Sequence, residues 1–111
     1  QWGVVGGHER DKTFVTQLRK IIQENLGNSE FNVERIGDEI GLSRVQLYRK
    51  VKALTGHSPV EMLRKARLMR ARHLLRTTEK SVSEVAYSVG FSTPSYFSKC
   101  YKDEFGESPK K

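Results

Sequence analysis

The chain has 111 residues, of which 36% are hydrophobic and 30% are charged, a composition typical of a folded domain rather than a disordered one. Lys and Arg number 20 against 13 Asp and Glu, which gives a formal net charge of +7. This balance favours a polyanionic partner, nucleic acid before an anionic membrane surface, although a solvated basic surface without a partner has the same charge. The single cysteine, Cys100, excludes an internal disulfide, and no apolar run approaches the length of a membrane span.

The Gly-rich opening "QWGVVGGHER" predicts a tag or linker remnant over residues 1–11, and we expect it to lie outside the folded domain. Residues 12–30 are predicted to form a lead-in helix. Its apolar side chains recur three or four positions apart, at Phe14, Leu18, Ile21 or Ile22, and Leu26. Gly27 and Asn28 then end the helical pattern.

Residues 31–59 predict a first pair of helices joined by a tight turn. The first helix has Asn32 as its N-cap, and the turn is the tripeptide "GLS", Gly41 to Ser43. Ser43 caps the second helix, which Gly56 ends. The expected buried positions are Val33, Ile36, Ile40, Leu42, Leu47, Val51 and Leu54.

A long linker helix is predicted over residues 60–78, opened by Pro59 and continuing to about Thr77. Its expected core positions are Leu68, Ala71, Leu74 and Leu75, and its cations are Arg64, Lys65, Arg67, Arg70, Arg72 and Arg76. Residues 79–111 then predict a second helix pair, begun at Ser81 or Ser83, with the turn "GFS" and with Gly106 after the last helix. Its expected core positions are Val82, Val85, Ala86, Val89, Phe97, Tyr101 and Phe105.

The two helix pairs repeat one pattern, because "GLSRVQLYRKVKALTGHSP" returns 49 to 50 residues later as "GFSTPSYFSKCYKDEFGESP". A short helix, a Gly turn with an apolar residue and a second helix describe the helix-turn-helix unit. The predicted fold is therefore all-α, with two helix-turn-helix subdomains (homeodomain-like units) bridged by a long central helix, about seven helices in all. Residues 12–111 form one domain in this prediction.

The second helix of each pair is expected to present a polar face opposite its buried stripe, as a helix in the DNA major groove does. In the first pair this face holds Val45, Tyr48, Arg49 and Lys52, and in the second Ser95, Ser98, Lys99 and Lys102. Ser43, Arg44, Lys50, Ser92 and Thr93 lie close enough in sequence to donate to phosphates, and we group Lys52, Ser98 and Lys102 with them. We therefore predict sequence-specific binding of double-stranded DNA.

From about residue 31 to residue 109 the chain resembles the DNA-binding domain of the AraC/XylS family of bacterial transcription regulators. The residues that carry the resemblance are "IGDEIGLSRVQLYRKVKALTGHSP", "RLMRARHLL" and "VSEVAYSVGFSTPSYFSKCYKDEFGESP". The resemblance implies promoter binding through recognition helices at about 44–55 and 94–105, in successive major grooves. It also implies that Val45, Tyr48 and Arg49 face bases in one groove, and Ser95 and Lys99 in the other.

The phrases "LYRKVKALTG" and "YFSKCYKDEFG" resemble more narrowly the output domain at the end of hybrid two-component regulators. That resemblance implies a cytoplasmic domain of a parent that is itself membrane-anchored and carries histidine kinase activity. Promoter DNA is the implied partner, RNA polymerase a second one, and dimerisation would use other parts of the parent. We expect no cofactor and no small-molecule ligand in this domain.

Other chemistries have little support in the sequence. His8, His57 and His73 are scattered without metal-ligand spacing, so no metal site is predicted. The adjacent acids Asp38–Glu39 and Asp103–Glu104 diverge around their helices and cannot work as an acid/base pair, and we expect a non-enzyme. The alternative hypothesis is that the basic helix at 60–77 binds an anionic membrane surface or a protein partner.

Overall fold

A computed structural model describes residues 9–110, and that part of the chain holds six α-helices and no strand, where about seven helices were expected. In chain order they are α1 (Glu9–Glu24), α2 (Val33–Ile40), α3 (Arg44–Thr55), α4 (Pro59–Thr77), α5 (Val82–Ser88) and α6 (Pro94–Phe105). The predicted all-α class is confirmed. The predicted remnant at 1–11 lies mostly outside the described residues, and its last three positions already belong to α1.

The helices form two compact units that are not continuous in sequence. One unit holds the chain up to Asn25 together with Asn32–Leu63, and the other holds Leu26–Phe31 together with the chain from Arg64 onward. The lead-in helix α1 thus belongs with the first helix-turn-helix pair. The stretch between α1 and α2 belongs instead with the second pair, so the chain passes between the units three times.

The first unit buries one face of α1 against the helix pair α2–α3. The apolar periodicity predicted for α1 is confirmed, and both Ile21 and Ile22 are buried rather than one of them. Leu47 and Val51 are fully buried in α3, whereas Leu54 is only half-buried because it lies near the helix end. The other buried side chains of this unit are Phe14, Val15, Leu18, Ile36, Pro59, Met62 and Leu63.

The second unit has an aromatic core. Four rings follow one another in contact, with centroid distances of 5.2 Å for Phe91–Phe97, 5.7 Å for Phe97–Tyr101 and 4.6 Å for Tyr101–Phe105. Tilted and edge-on pairs at such distances add about 0.5–1.5 kcal/mol each to the burial of their area. The remaining buried members of this core are Leu68, Ala71, Leu75, Val85, Ala86, Val89 and Cys100.

Local side-chain caps determine where the helices begin. Asn32 caps α2 by accepting from the Arg35 N–H, and Ser43 caps α3 in a capping box with Gln46, as the sequence predicts. Ser81 rather than Ser83 caps α5, because Ser81 forms a second box with Glu84. Gly41, Gly56 and Gly106 end their helices with positive φ, which confirms their predicted roles.

A third capping box starts α4. The Ser58 N–H donates to Glu61 Oε1 at 2.8 Å, and the Glu61 N–H donates to Ser58 Oγ at 3.2 Å, with Pro59 at the first helical position between them. Hydrogen bonds to the carboxylate from the Ser58 N–H, and secondly from its hydroxyl, hold the pKa of the Glu61 carboxyl below its ordinary value. The predicted helix start at Pro59 and end at Thr77 are both confirmed.

Arg67 in α4 holds the stretch between α1 and α2 in the second unit. One guanidinium nitrogen donates to the carbonyl oxygens of Asn28 and Phe31, both at 3.0 Å. Arg67 Nε is buried and has no hydrogen-bond partner among the described residues, and burial lowers the pKa of the guanidinium. Gly90 packs against the same group, since a Cβ there would lie 2.9 Å from Arg67 Nε and 2.7 Å from the Leu26 oxygen. Only a residue without a side chain fits at position 90.

Candidate nucleic-acid interface

The first helix-turn-helix is built from α2, a three-residue turn and α3. Gly41 has φ of +86°, and the N–H groups of Gly41 and Leu42 both donate to the Gly37 oxygen, at 2.8 and 2.9 Å. Gly37 lies inside α2 and is buried, and a Cβ there would meet the Leu42 oxygen at 2.7 Å. A glycine within α2 is therefore what lets the turn fold back closely against α2 before α3 begins.

The outward face of α3 has the residues predicted from the sequence. Val45, Tyr48 and Arg49 are exposed, the first two with 59% and 50% of their surface accessible, while Leu47 and Val51 beneath them have none. Exposed apolar and aromatic groups beside an arginine suit contact with thymine methyls and with guanine O6 and N7. The structure brings these three side chains together on one surface of the first unit.

The predicted phosphate-binding residues of the first unit differ in the contacts that their side chains make within the protein. Arg44 is exposed at the start of α3, and Ser43 is exposed although its hydroxyl accepts the Gln46 N–H. The Lys50 ammonium lies 4.5 Å from the centre of the Phe14 ring, and Lys52 Nζ donates to the Gly56 oxygen at 3.2 Å. Of the four cations of α3, Arg44 and Arg49 therefore make the fewest contacts within the protein.

The second helix-turn-helix follows the same plan, with one more residue between the turn glycine and the N-cap of the second helix. Gly90 has φ of +91°, and the Phe91 N–H donates to the Ala86 oxygen at 3.0 Å. Thr93 caps α6 by accepting from the Tyr96 N–H at 3.3 Å, and Pro94 is its first helical residue. Counted from the caps Ser43 and Thr93, each position of α3 corresponds to the position fifty residues later in α6.

The outward face of α6 agrees with the predicted one except at one position. Ser95, Lys99 and Lys102 are exposed, as are Ser92 and Thr93 in the turn. Ser98 is only half-buried, so its hydroxyl is partly accessible. Phe97 and Tyr101 point into the core, as predicted.

Two further residues of this surface were not among those predicted. Tyr96 is 52% exposed and its ring lies 5.9 Å from that of Phe91. It stands at the α6 position that corresponds to Gln46 of α3, which was itself not among the predicted contact residues. Arg64 of α4 lines a cleft of about 300 Å³ together with Tyr96 and Lys99, and only the folded unit shows this proximity. Leu68, Cys100, Asp103 and Glu104 complete the lining.

The two recognition helices differ in charge. Arg44, Arg49, Lys50 and Lys52 are the charged residues of α3, which has no acidic one. In α6, Lys99 and Lys102 are balanced by Asp103 and Glu104. The electrostatic attraction to phosphates is therefore stronger at α3 than at α6.

The described residues offer little for other functions. No group of three or more His, Cys, Asp or Glu side chains in residues 9–110 could hold a metal ion. None of the helices described is long and apolar enough to cross a membrane. The apolar side chains of α4 that a membrane surface would require are mostly buried, since Met62, Leu63, Leu68 and Leu75 are at most 6% exposed.

Comparison with known proteins agrees with this geometry. Residues 36–111 match the family model described as "Helix-turn-helix domain". The chain is 39% identical over 99 residues to Histidine kinase P4 of Formosa agariphila, which covers 89% of this chain but only 7% of that protein.

Two solved structures are similar over most of the chain. The C-terminal domain of AraT, a response regulator from Geobacillus stearothermophilus, has a TM-score of 0.83 at 34% identity, covering 91% of this chain and 84% of the other. The DNA-binding domain of AdpA, a global transcriptional factor, in complex with a target DNA, has a TM-score of 0.80 at 30% identity, covering 86% and 85%. By the family model, by these structures and by its paired turns, the chain belongs to the AraC-type family of helix-turn-helix DNA-binding domains.

Proposed function

We propose that this domain binds double-stranded DNA sequence-specifically, with α3 and α6 in successive major grooves, and so regulates transcription in bacteria. The observation that carries the proposal is the exposed trio Val45, Tyr48 and Arg49 above the fully buried Leu47 and Val51 of α3. A helix held from beneath by its core stripe presents these groups without needing to rearrange. The family is a non-enzymatic one, which agrees with the absence of a catalytic set from the sequence.

The base-contacting residues in this proposal are Val45, Tyr48 and Arg49 in one groove and Ser95 and Lys99 in the other. Arg49 is the best suited to discriminate bases, because a guanidinium donates in a fixed fork to guanine O6 and N7. Phosphate contacts are assigned to the exposed turn and helix-start residues. These are Ser43, Arg44, Ser92 and Thr93, with Lys50, Lys52, Ser98 and Lys102 as weaker contributors because each is partly buried, engaged within the protein or close to acidic residues.

Selection of duplexes from a random library tests this proposal. We expect the wild-type chain to enrich a motif of two blocks about one helical turn apart. Arg49→Ala should blur one position in one block and cost roughly 1–3 kcal/mol of binding free energy. Arg19→Ala is the matched control, since it removes the same charge from an exposed position on α1 and should leave the motif unchanged.

Three results would contradict the proposal in different ways. A single enriched block would show that α6 contacts only the backbone. If Arg49→Ala weakened binding to every DNA sequence equally, Arg49 would not be a base-contacting residue. No enrichment at all, with binding that fades as salt rises, would leave a non-specific polyanion binder.

We also propose that the domain is the output part of a longer two-component regulator in the cytoplasm. The support is the similarity to a histidine kinase, of which this chain spans 7%, and to the C-terminal domain of a response regulator.

In such a parent, dimerisation through other segments would raise the local concentration of this domain at paired sites, and RNA polymerase would be a second partner. Joining two copies through a dimerising coiled coil should then raise affinity for a duplicated site by at least about tenfold. Unchanged affinity would show that this domain gains nothing from dimerisation at such a site.

Binding to an anionic membrane surface, the alternative hypothesis, has less support, because the apolar residues of α4 serve the protein core. Co-sedimentation with anionic vesicles decides between the two hypotheses. We expect negligible vesicle binding at a salt concentration at which DNA is bound, and the opposite ranking would favour the membrane.

A further inference from the structure

Helix α6 has no net charge. We therefore ask which other cations of the second unit bind the DNA backbone. Lys99 and Lys102 are offset by Asp103 and Glu104, whereas α3 has four cations and no acid. A recognition helix without net positive charge gains little from counterion release. If the second unit binds DNA as proposed, another element of that unit has to supply charge.

Helix α4 is rich in cations, but most of those near α6 are already engaged. Lys65 forms an ion pair with Glu104 at 3.7 Å, and Arg67 donates to two backbone carbonyls. The Arg72 guanidinium lies 4.6 Å from the centre of the Phe105 ring. Arg64 makes no hydrogen bond or ion pair with the residues that the structure describes, and it is half-buried at the cleft beside Lys99.

We propose that Arg64 binds a DNA backbone phosphate at the mouth of the cleft between α4 and α6, and so fixes the position of Lys99 on the bases. This inference rests on the proposed function and adds a phosphate contact from outside the helix-turn-helix. A guanidinium suits the role because it stays charged and donates two parallel hydrogen bonds to phosphate oxygens. Leu68 and Cys100, which also line the cleft, hold the stem of the side chain against apolar surface.

The acidic residues of the cleft limit where the phosphate can lie. Glu104 is paired with Lys65, whereas Asp103 lines the cleft seven residues after Tyr96, about 10 Å further along the helix axis. Repulsion by Asp103 therefore directs an anion toward the end of the cleft at which Tyr96 and Lys99 lie. That end is the one beside the base-facing residue Ser95.

Salt-dependent affinity tests the inference with a matched control. The measurement is fluorescence anisotropy on the duplex that the wild-type chain selects, at salt concentrations between about 50 and 300 mM. Arg64→Ala should weaken binding roughly tenfold and reduce the slope of log affinity against log salt by about one. Arg70→Ala removes an equal charge from an exposed position of the same helix outside the cleft, and should change affinity less than about twofold.

A charge-conserving variant separates this role from a structural one. Arg64→Lys should keep the salt slope while losing part of the affinity, because a lysine neutralises the phosphate but lacks the paired geometry. If both Arg64 variants keep the wild-type slope and affinity, the inference is wrong. Equal losses for Arg64→Ala and Arg70→Ala would also contradict it, since they would indicate an effect of net charge alone.

Neutral methylphosphonates placed one at a time along the duplex locate the contact. We expect one substitution beside the block bound by α6 to weaken the wild-type chain and to leave Arg64→Ala unaffected. Sensitivity of both proteins at every position would overturn the assignment. Failure of the wild-type chain to select any duplex would instead overturn the proposed function, so the two failures are distinguishable.

Discussion

The recognition helices of the two units both begin at a hydroxyl N-cap and end at a glycine with positive φ, but the units differ in core and charge. Leu47 and Val51 are the buried stripe of α3, whereas Phe97 and Tyr101 belong to a run of four aromatic rings in the second unit. The four cations of α3 stand without an acid, while those of α6 are balanced. The turn glycines differ too, since a Cβ at Gly41 would meet nothing within 4 Å and one at Gly90 would collide with two groups.

One backbone plan thus accommodates recognition helices of different net charge and cores of different composition. The recognition helix of the first unit has the greater net positive charge, and there is open space beside its turn glycine Gly41. The second unit has the aromatic core, and in our proposal Arg64 of α4 adds a cation beside its recognition helix. A duplicated fold therefore does not require that its copies contribute equally to binding.

The largest expected effect concerns the two turn glycines. Ala in the left-handed region costs about 1–2 kcal/mol, which is the full expected loss of unfolding free energy for Gly41→Ala. Gly90→Ala adds the collision of Cβ with the Leu26 oxygen and Arg67, and should cost roughly 3 kcal/mol or more in total. Urea unfolding followed by circular dichroism measures both variants. Equal losses would show that the second turn relaxes more easily than its packing indicates.

The next effect concerns phosphate contacts on the two recognition helices. Arg44→Ala should weaken binding to all DNA sequences by about 1 kcal/mol and lower the salt slope by about one. Lys102→Ala should cost less, because Asp103 and Glu104 beside it already reduce the local potential. Anisotropy titrations over a range of salt concentrations compare the two. A larger loss for Lys102→Ala would contradict the stronger electrostatic attraction assigned to α3.

A smaller effect concerns cations that lie over aromatic rings, one in each unit. Arg72 over Phe105 is half-buried, whereas Lys50 over Phe14 is exposed. The loss of unfolding free energy should be about 1 kcal/mol for Arg72→Ala and about 0.5 kcal/mol for Lys50→Ala. Thermal unfolding at low and high salt provides the measurement. A similar or reversed order would show that burial does not strengthen these contacts here.

The smallest effect is a pH dependence at the start of α4. The pKa of Glu61 is lowered in the folded chain, so its capping box stabilises the fold above the ordinary carboxyl pKa. That contribution is lost as the pH falls through the lowered value. Gln46 has the same place in the box of α3 and does not titrate. Unfolding of Glu61→Gln at neutral and acidic pH should show a weaker pH dependence than that of wild type, and an unchanged dependence would contradict this role.

Much of the fold follows from local sequence signals. The caps at Asn32, Ser43 and Ser81 and the start of α4 at Pro59 each depend on residues within a few positions. Apolar periodicity indicates which face of a helix is buried, so the outward positions of Val45, Tyr48 and Lys99 were predictable. Such features need no knowledge of distant parts of the chain.

The rest depends on contacts between residues far apart in sequence. Arg67 is one of several cations along α4, and the residues around it in sequence give no sign that it binds carbonyls 36 and 39 residues earlier. The proximity of Arg64 to Lys99 likewise exists only after α4 packs on α6. Ser98 is expected outward from the sequence but is half-buried in the folded unit.

The hydrogen bonds from Arg67 have a consequence for the order in which the chain can fold. The second unit requires Leu26–Phe31, so all of α2 and α3 lies as an insertion between its two parts. On the ribosome, the first unit has all its residues once Leu63 has emerged, whereas residues 26–31 must wait for α4 to α6. Closing that long loop costs entropy that a contiguous unit would not lose. A fragment beginning at residue 32 would therefore lack part of the second unit, even though it contains both turns.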